Sequence, residues 1–252
     1  MFSYFANPQR FDVLARRVIP VAASLAAVLF AAGLYLAFFG SPPDYQQGET
    51  IRIMYVHVPA AYMAMALYAG LAGASFVHFV WRHAIADAAA EVIAPVGAVF
   101  TVLALVTGSL WGKPMWGTWW EWDARMTSVL VLLLVYLGYM ALRAALEDAQ
   151  QGARVGAILA MAGVVNLVIV KFSVDWWSSL HQPASVIRFD GPTIHGSQLW
   201  PLAIMALAYT ALAVWLVFYR LRSRALTRRV LQIERQRDAA AQPVRDLSGR
   251  GA

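Results

Sequence analysis

The chain has 252 residues, of which 60% are hydrophobic and 13% are charged. An ordinary soluble domain is about half apolar and a quarter charged, so this composition excludes that class and indicates a membrane protein. The net charge is +6. In a membrane protein such an excess of basic residues usually reflects its orientation in the membrane, so it does not favour nucleic-acid binding. Cysteine is absent, which excludes disulfides, thiolate metal sites and cofactors attached through cysteine.

Six apolar stretches are each long enough to cross a hydrocarbon core of roughly 30 Å at about 1.5 Å per residue. The first has a core of about 22 residues, which is too long for a signal peptide and predicts a retained helix. The sequence therefore predicts an all-α, polytopic membrane bundle of six transmembrane helices within residues 1–229, followed by a polar tail at 230–252. The six stretches lie near residues 18–39, 58–80, 92–111, 126–146, 155–172 and 199–219.

The basic residues predict the orientation of this bundle. With both termini inside, fifteen of the 20 arginines and lysines lie in inner segments and five in outer ones, a distribution typical of cytoplasmic termini. The outer segments at 40–57, 112–125 and 173–198 are the longer ones and are richer in Gly, Pro and Trp. Because function usually lies on such loops, we expect the active face outside. We expect the tail to be a topogenic arginine cluster with a frayed end, and a docking site for a cytoplasmic partner is the alternative.

Five tryptophans lie within the twelve residues from 111 to 122. An aromatic belt explains scattered tryptophans at a membrane interface, but it explains this density poorly. Glycines and a proline at 112, 114 and 117 break the chain, and we expect a short interfacial helix after Gly117. That helix would bring Trp116, Trp119 and Trp120 together, with Trp122 beside Trp119. A flat apolar surface edged with N–H groups suits a large planar ligand.

Two of the outer histidines, His57 and His181, each lie two residues before a proline, Pro59 and Pro183. Proline suits the first position of a helix, so we expect both imidazoles near a helix start, where the dipole disfavours imidazolium. A neutral imidazole is the form that binds iron. Two such rings from different loops could bind iron from opposite faces of a porphyrin. A purely structural role for each histidine is the alternative, and His195 is a reserve ligand.

Outer cations are candidates to bind the carboxylates of such a ligand. Arg52, Lys113, Arg125 and Arg188 could form these pairs, arginine in a bidentate manner. Interfacial anchoring is the alternative for each, and Asp123 and Arg125 could instead hold the tryptophan segment in shape. The helix interiors contain almost no ionisable residues, which disfavours a small-molecule permease.

The run Trp-Gly-Lys-Pro-Met-Trp-Gly-Thr-Trp-Trp-Glu-Trp-Asp-Ala-Arg at 111–125 resembles the tryptophan-rich WWD signature of haem-handling membrane proteins. The six-helix length and the outer pair His57 and His181 match the cytochrome c maturation protein C (haem exporter protein C) family. The resemblance covers the chain to about Arg229. Met126 departs from the pattern, where leucine is expected, but this exchange is conservative.

The resemblance implies that haem b binds non-covalently with His57 and His181 as axial ligands of its iron. It also implies that the 111–125 stretch cradles the macrocycle. The haem would pass at the periplasmic face of the bacterial inner membrane to a haem chaperone, maturation protein E, for biogenesis of c-type cytochromes. The expected cofactor-binding residues are completed by Trp111, Trp116, Trp119, Trp120, Trp122, Asp123, Arg125 and Arg52.

The resemblance further implies a complex with ABC-type ATPase and permease subunits, maturation proteins A and B, and a one-helix subunit, maturation protein D. This chain shows no ATP-binding motif, so ATP hydrolysis is expected on those partners and no catalytic residue is expected here. The alternative function is a membrane b-type cytochrome subunit in electron transfer, which would normally carry histidine pairs within its helices.

Overall fold

The structure is a computed structural model that describes residues 8–182, 185–186, 188 and 190–248. These residues form helices and loops without any β-strand, which confirms the predicted all-α class. A π-helical turn, Leu36–Gly40, extends the first helix, and a 3-10 turn, Glu49–Ile53, leads into the second. The α-helices are α1 (Pro8–Tyr35), α2 (Met54–Trp81), α3 (Ala84–Trp116), α4 (Ala124–Ala145), α5 (Ala149–Ala162), α6 (Val164–Trp176) and α7 (Gly196–Ser248).

Six segments of the described chain are long and apolar enough to cross a membrane, as predicted. Helices α5 and α6 together make the fifth of these, which spans residues 149–176 and is interrupted at Gly163. Side chains cap three of the helices: His83 accepts from the Ala86 amide of α3, Asp123 from that of Met126 in α4, and Asp148 from that of Gln150 in α5. Such caps satisfy backbone donors that have no partner within the helix.

The centre of the bundle is built from tyrosines that pack against small residues. The rings of Tyr68 and Tyr136 meet edge to face with centroids 5.1 Å apart, and their hydroxyls donate to the carbonyls of Ala160 and Ala64 at 3.0 and 2.9 Å. Glycine makes this packing possible, because a β-carbon at Gly97 would lie 2.2 Å from the Tyr136 hydroxyl oxygen. Small residues let membrane helices approach closely.

Ion pairs join neighbouring helices at the end of the bundle that carries the chain termini. Arg143 of α4 binds Asp87 of α3 at 2.5 Å, and Arg222 of α7 binds Asp12 of α1 at 2.8 Å. The basic residues assigned to topology therefore also join neighbouring helices, and α1 packs along α7.

Helix α7 continues without a break to Ser248, whereas the sequence led us to expect a frayed end. The segment is rich in alanine, arginine, glutamine and leucine, all of which have high helix propensity. These residues extend the helix beyond the apolar span, which ends at Asp238 at the latest.

Candidate functional site

His57 lies in the first turn of α2 and is half-buried. Its Nδ1 atom is 3.0 Å from the carbonyl oxygen of Ala104 and 3.2 Å from the hydroxyl oxygen of Thr107, both in α3. The Thr107 hydroxyl already donates to the Leu103 carbonyl at 2.7 Å. The neutral imidazole therefore donates from Nδ1 to Ala104, and its Nε2 atom keeps an available lone pair.

Two glycines of α3 give the site its shape. A β-carbon at Gly108 would lie 3.0 Å from Cε1 of His57, and one at Gly112 would lie 2.8 Å from Cε3 of Trp116. The imidazole and the indole therefore lie directly against the α3 backbone. Trp111 of the same helix meets the His57 ring edge-on, with centroids 5.7 Å apart.

His181 lies in the non-helical segment that follows α6. Its Nδ1 atom is 2.9 Å from Oδ2 of Asp123, and the Ser179 hydroxyl donates to the same oxygen. The imidazole also packs against Trp116 with centroids 4.8 Å apart. The side chains of His181 and Asp123 are 17% and 5% exposed, so this group is largely shielded from solvent.

Burial and hydrogen bonding set the charge states of this pair. Burial lowers the pKa of His181, and this effect exceeds the opposing one of Asp123. Burial alone would raise the pKa of Asp123, but hydrogen bonds from Ser179, the Met126 amide and His181 together lower it. At neutral pH the pair is therefore a carboxylate and a neutral imidazole that donates from Nδ1, which leaves Nε2 of His181 available.

The fold brings the two histidines to the same end of the bundle. They are close enough for a charge on His181 to act on His57, and the guanidinium of Arg125 acts on both. The aromatic partners of the two imidazoles, Trp111 and Trp116, are five residues apart near the end of α3. The site therefore combines two imidazoles with available Nε2 atoms, two indoles and one cation.

Arg125 lies in the first turn of α4 and is half-buried. Its guanidinium donates to the Ser173 hydroxyl at 3.1 Å and to the Lys171 carbonyl at 3.4 Å; both acceptors are neutral. Arg52 differs, because it forms an ion pair with Glu49 and donates to the Ala37 carbonyl. Of the four candidate cations named from the sequence, Arg125 is the one placed to meet an anion beside the histidines.

The other two candidate cations have different surroundings. Arg188 is exposed and pairs with Asp190, and Lys113 donates to the Gly117 carbonyl at 2.9 Å.

The segment between α3 and α4 differs from our expectation. Helix α3 runs through Gly112 and Pro114 to Trp116, and residues 117–123 contain no helix. Gly117 turns the chain with a φ of 78°, and the Thr118 hydroxyl donates to the Trp120 carbonyl at 2.8 Å. These local bonds replace helical ones, so the predicted interfacial helix is wrong.

The tryptophans of this segment are consequently spread over several surfaces. Trp120 and Trp122 form an edge-on pair with centroids 5.3 Å apart, so the expected grouping of Trp116, Trp119 and Trp120 at helical spacing is not formed. The indole nitrogen of Trp120 is buried and has no hydrogen-bond partner among the described residues. Trp122 is 73% exposed.

Trp119 lies on the other side of α3 from His57. It lines a shallow depression with Leu105, Val106, Ser109 and Leu110, whereas His57 contacts the face that carries Ala104, Thr107 and Gly108. At 100° per residue these two sets of positions point in opposite directions.

His57 lies near the start of a helix, as predicted, but Pro59 is not the first residue of that helix. Helix α2 begins at Met54, directly after the 3-10 turn, so Pro59 is its sixth residue and Val58 is helical. His181 is not at a helix start, because Gln182 is also non-helical; Pro183 lies outside the described residues. Burial, rather than a helix dipole, lowers the pKa of His181, and the hydrogen bonds at Nδ1 fix the tautomer of each ring.

His195, the reserve ligand, has a local role in the structure. Its side chain is exposed, and its Nδ1 atom lies 3.3 Å from the Ser197 amide and 2.8 Å from the Ser197 hydroxyl at the start of α7.

Three residues that support the site are not predicted from the sequence. Ser179 braces Asp123, Gly108 makes room for His57, and Gln47 accepts a hydrogen bond from the Trp111 indole at 2.8 Å. Gly108 and Gly112 are four residues apart, a spacing that favours close packing between membrane helices. This spacing could have predicted the contact between Gly108 and His57. No local pattern marks Gln47 or Ser179.

Comparison with known proteins identifies the relatives of this chain. A family model described as "Heme exporter protein C" matches residues 1–236. The chain belongs to the haem exporter protein C family. A protein of that name from Bradyrhizobium diazoefficiens is 52% identical over 229 residues, which cover 91% of this chain and 87% of the relative.

More distant relatives of this haem exporter protein C family member carry related names. The "Heme exporter protein C" of Haemophilus influenzae is 43% identical over 222 residues, covering 88% of this chain and 90% of the relative. A "Putative cytochrome c biosynthesis ccmC-like mitochondrial protein" of Marchantia polymorpha is 42% identical over 198 residues, covering 79% and 83%. The family match includes every site residue described above. Together with the six apolar spans, it makes this family member a multi-pass membrane protein.

Proposed function

We propose that this protein handles haem for cytochrome c biogenesis: it binds haem at the outer ends of its helices, between His57 and His181, and hands it to a periplasmic haem chaperone. The observation that carries this proposal is the state of the two imidazoles. Each has Nδ1 bound to an acceptor, Ala104 or Asp123, and each keeps Nε2 available. Iron in haem binds neutral imidazole through such a lone pair.

The surrounding residues fit a haem molecule. Trp111 and Trp116, which touch the two imidazoles, offer apolar faces to a flat macrocycle. Arg125 supplies a cation with neutral partners for a propionate. The buried N–H of Trp120 is a further donor without a protein acceptor among the described residues. When bound, haem would supply an iron centre for the two imidazoles and a flat apolar surface for the indoles.

The mode of binding follows from the composition. Because the chain has no cysteine, it has no thiol for attachment to a haem vinyl group, and we infer that it binds unmodified haem b non-covalently. Such binding suits a protein that delivers haem rather than one that consumes it. We therefore assign it a role in delivery rather than catalysis.

The location and partners of the site belong to the same proposal. The excess of basic residues at the end opposite the histidines supports cytoplasmic termini in the bacterial inner membrane and a periplasmic site. The recipient would be maturation protein E. Subunits corresponding to maturation proteins A, B and D would complete the complex and supply ATP hydrolysis, for which this chain shows no sequence motif.

Purified protein tests the proposal directly. We expect a Soret band from wild-type protein, altered axial ligation in His57→Ala and His181→Ala, and failure of both variants to load the chaperone. His195→Ala is the matched control, since this outer histidine is exposed and bonds only locally to Ser197. Normal loading by a protein that lacks both His57 and His181 would refute the proposal. Haem that never leaves for the chaperone would instead favour a b-type cytochrome subunit.

A second experiment tests the aromatic part of the site. Trp116→Leu removes the indole that packs against His181, and we expect it to lower haem retention. Trp119→Leu is the control, because Trp119 lies over the opposite face of α3. Equal haem content in the two variants would contradict the assignment of Trp116 to the haem site.

A further inference from the structure

The two candidate ligands differ in the group that binds Nδ1. His57 donates to a peptide carbonyl, that of Ala104, within a transmembrane helix. His181 donates to the carboxylate of Asp123, which joins it from a different segment of the chain. The Ala104 carbonyl belongs to the backbone, so no substitution at position 104 removes it. The Asp123 carboxylate belongs to a side chain and can be replaced by mutation.

Asp123 makes three hydrogen bonds that together leave little freedom. Its Oδ1 atom accepts from the Met126 amide at 2.7 Å and so caps α4. Its Oδ2 atom accepts from both the Ser179 hydroxyl and His181. All these partners are donors, so the group at position 123 must accept at both of its terminal atoms. Only a carboxylate satisfies this requirement.

From this arrangement, and on the basis of the proposed haem function, we propose that Asp123 is a positioning residue that acts through His181. By accepting the Nδ1 proton it holds His181 in the tautomer whose Nε2 binds iron, and it fixes the direction of the ring. Asp123 itself need not touch the haem. Carboxylates that orient metal-binding histidines in this way also increase the basicity of the ligand nitrogen.

Asparagine at position 123 would place an N–H2 group where a carboxylate oxygen now lies. If its oxygen keeps the cap on Met126, its amide nitrogen faces His181 as a donor. Nδ1 of His181 must then accept, and the proton moves to Nε2, which no longer has a lone pair for iron. The helix cap survives this exchange, because asparagine is a good N-cap residue.

The experiment compares the full-length variants Asp123→Asn and Asp123→Ser, loaded with haem, with wild type. Both substitutes retain capping ability and lack the carboxylate. We expect conversion of a six-coordinate, low-spin optical and electron paramagnetic resonance spectrum into that of singly ligated haem. Haem affinity should fall about 10- to 100-fold, which is typical of lost outer-shell partners. Added imidazole should restore the six-coordinate spectrum, and Asp123→Asn combined with His181→Ala should be no worse than His181→Ala alone.

Two controls separate positioning from general damage. Asp148→Asn alters the equivalent cap on α5, where Asp148 accepts from the Gln150 amide at 2.8 Å, and we expect an unchanged spectrum. Ser179→Ala removes the hydrogen bond from the Ser179 hydroxyl to Asp123 but leaves the hydrogen bond between Asp123 and His181, so the six-coordinate spectrum should persist. A wild-type spectrum in both Asp123 variants would overturn this inference and leave the haem proposal standing. A wild-type protein that binds no haem would refute the haem proposal itself.

Discussion

A β-carbon on Gly108 would come within 3.0 Å of Cε1 of His57, so the imidazole rests directly on the backbone of α3. The hydrogen bond from Nδ1 to the Ala104 carbonyl, at 3.0 Å, requires this close approach. Glycine at position 108 therefore lets the fold orient the His57 imidazole against α3.

Gly108→Ala is expected to push the His57 ring away from α3 and to weaken haem ligation on that side. The measurement is the Soret band and spin state of the purified protein. Gly73→Ala in α2 is the control, because a β-carbon there meets nothing within 4 Å. Identical haem spectra for the Gly108 and Gly73 variants would show that His57 does not depend on the close contact.

Gly97→Ala is expected to destabilise the bundle without a direct effect on the histidine pair. Its β-carbon would lie 2.2 Å from the Tyr136 hydroxyl oxygen, which donates to the Ala64 carbonyl. Overpacking of this kind costs about 1–3 kcal/mol. Thermal unfolding in detergent measures the effect. Gly138→Ala, whose β-carbon would lie 3.8 Å from Leu159, should unfold like wild type, and the prediction is wrong if both variants do.

Arg125→Gln is expected to weaken haem binding tenfold or more. Hydrogen bonds to charged groups contribute about 1.5–3 kcal/mol, and 1.4 kcal/mol corresponds to a factor of ten. Titration with haem and with its dimethyl ester, which lacks ionised propionates, measures the effect. Wild type should prefer haem, whereas the variant should bind both alike.

Arg188→Gln is the matched control for this prediction, since Arg188 is an exposed outer cation that pairs with Asp190. A variant at position 125 that still discriminates haem from its ester would exclude Arg125 as the propionate partner.

Haem ligation is expected to resist mild acid. Because the pKa of His181 is lowered from its ordinary value of 6.5, the stabilisation that needs a neutral ring is complete above pH 6.5. It is lost as the pH falls through the lower folded-state pKa. The pKa of Asp123 is also lowered, from 3.8, so its carboxylate persists throughout this range. A spectral titration from pH 8 to 5 should show loss of ligation only below 6.5, and a midpoint at or above 6.5 would contradict this.

Much of this architecture is determined by the sequence alone. Long apolar stretches have no alternative to helices in a membrane, because every backbone donor must be satisfied within the segment. Hydropathy thus predicts the six spans, and arginine distribution predicts their orientation. The tryptophan density at 111–122 and the pair His57 and His181 likewise predict one end of the bundle as the candidate functional site.

Only the tertiary structure decides how those residues are used. The indoles do not form one surface: Trp116 meets His181, whereas Trp119 lies over the opposite face of α3. The bond from His181 to Asp123 joins residues 58 positions apart, and no periodicity encodes such a contact. Side-chain packing and hydrogen bonding between distant segments decide which imidazole nitrogen stays available, because local propensity acts only on neighbouring residues.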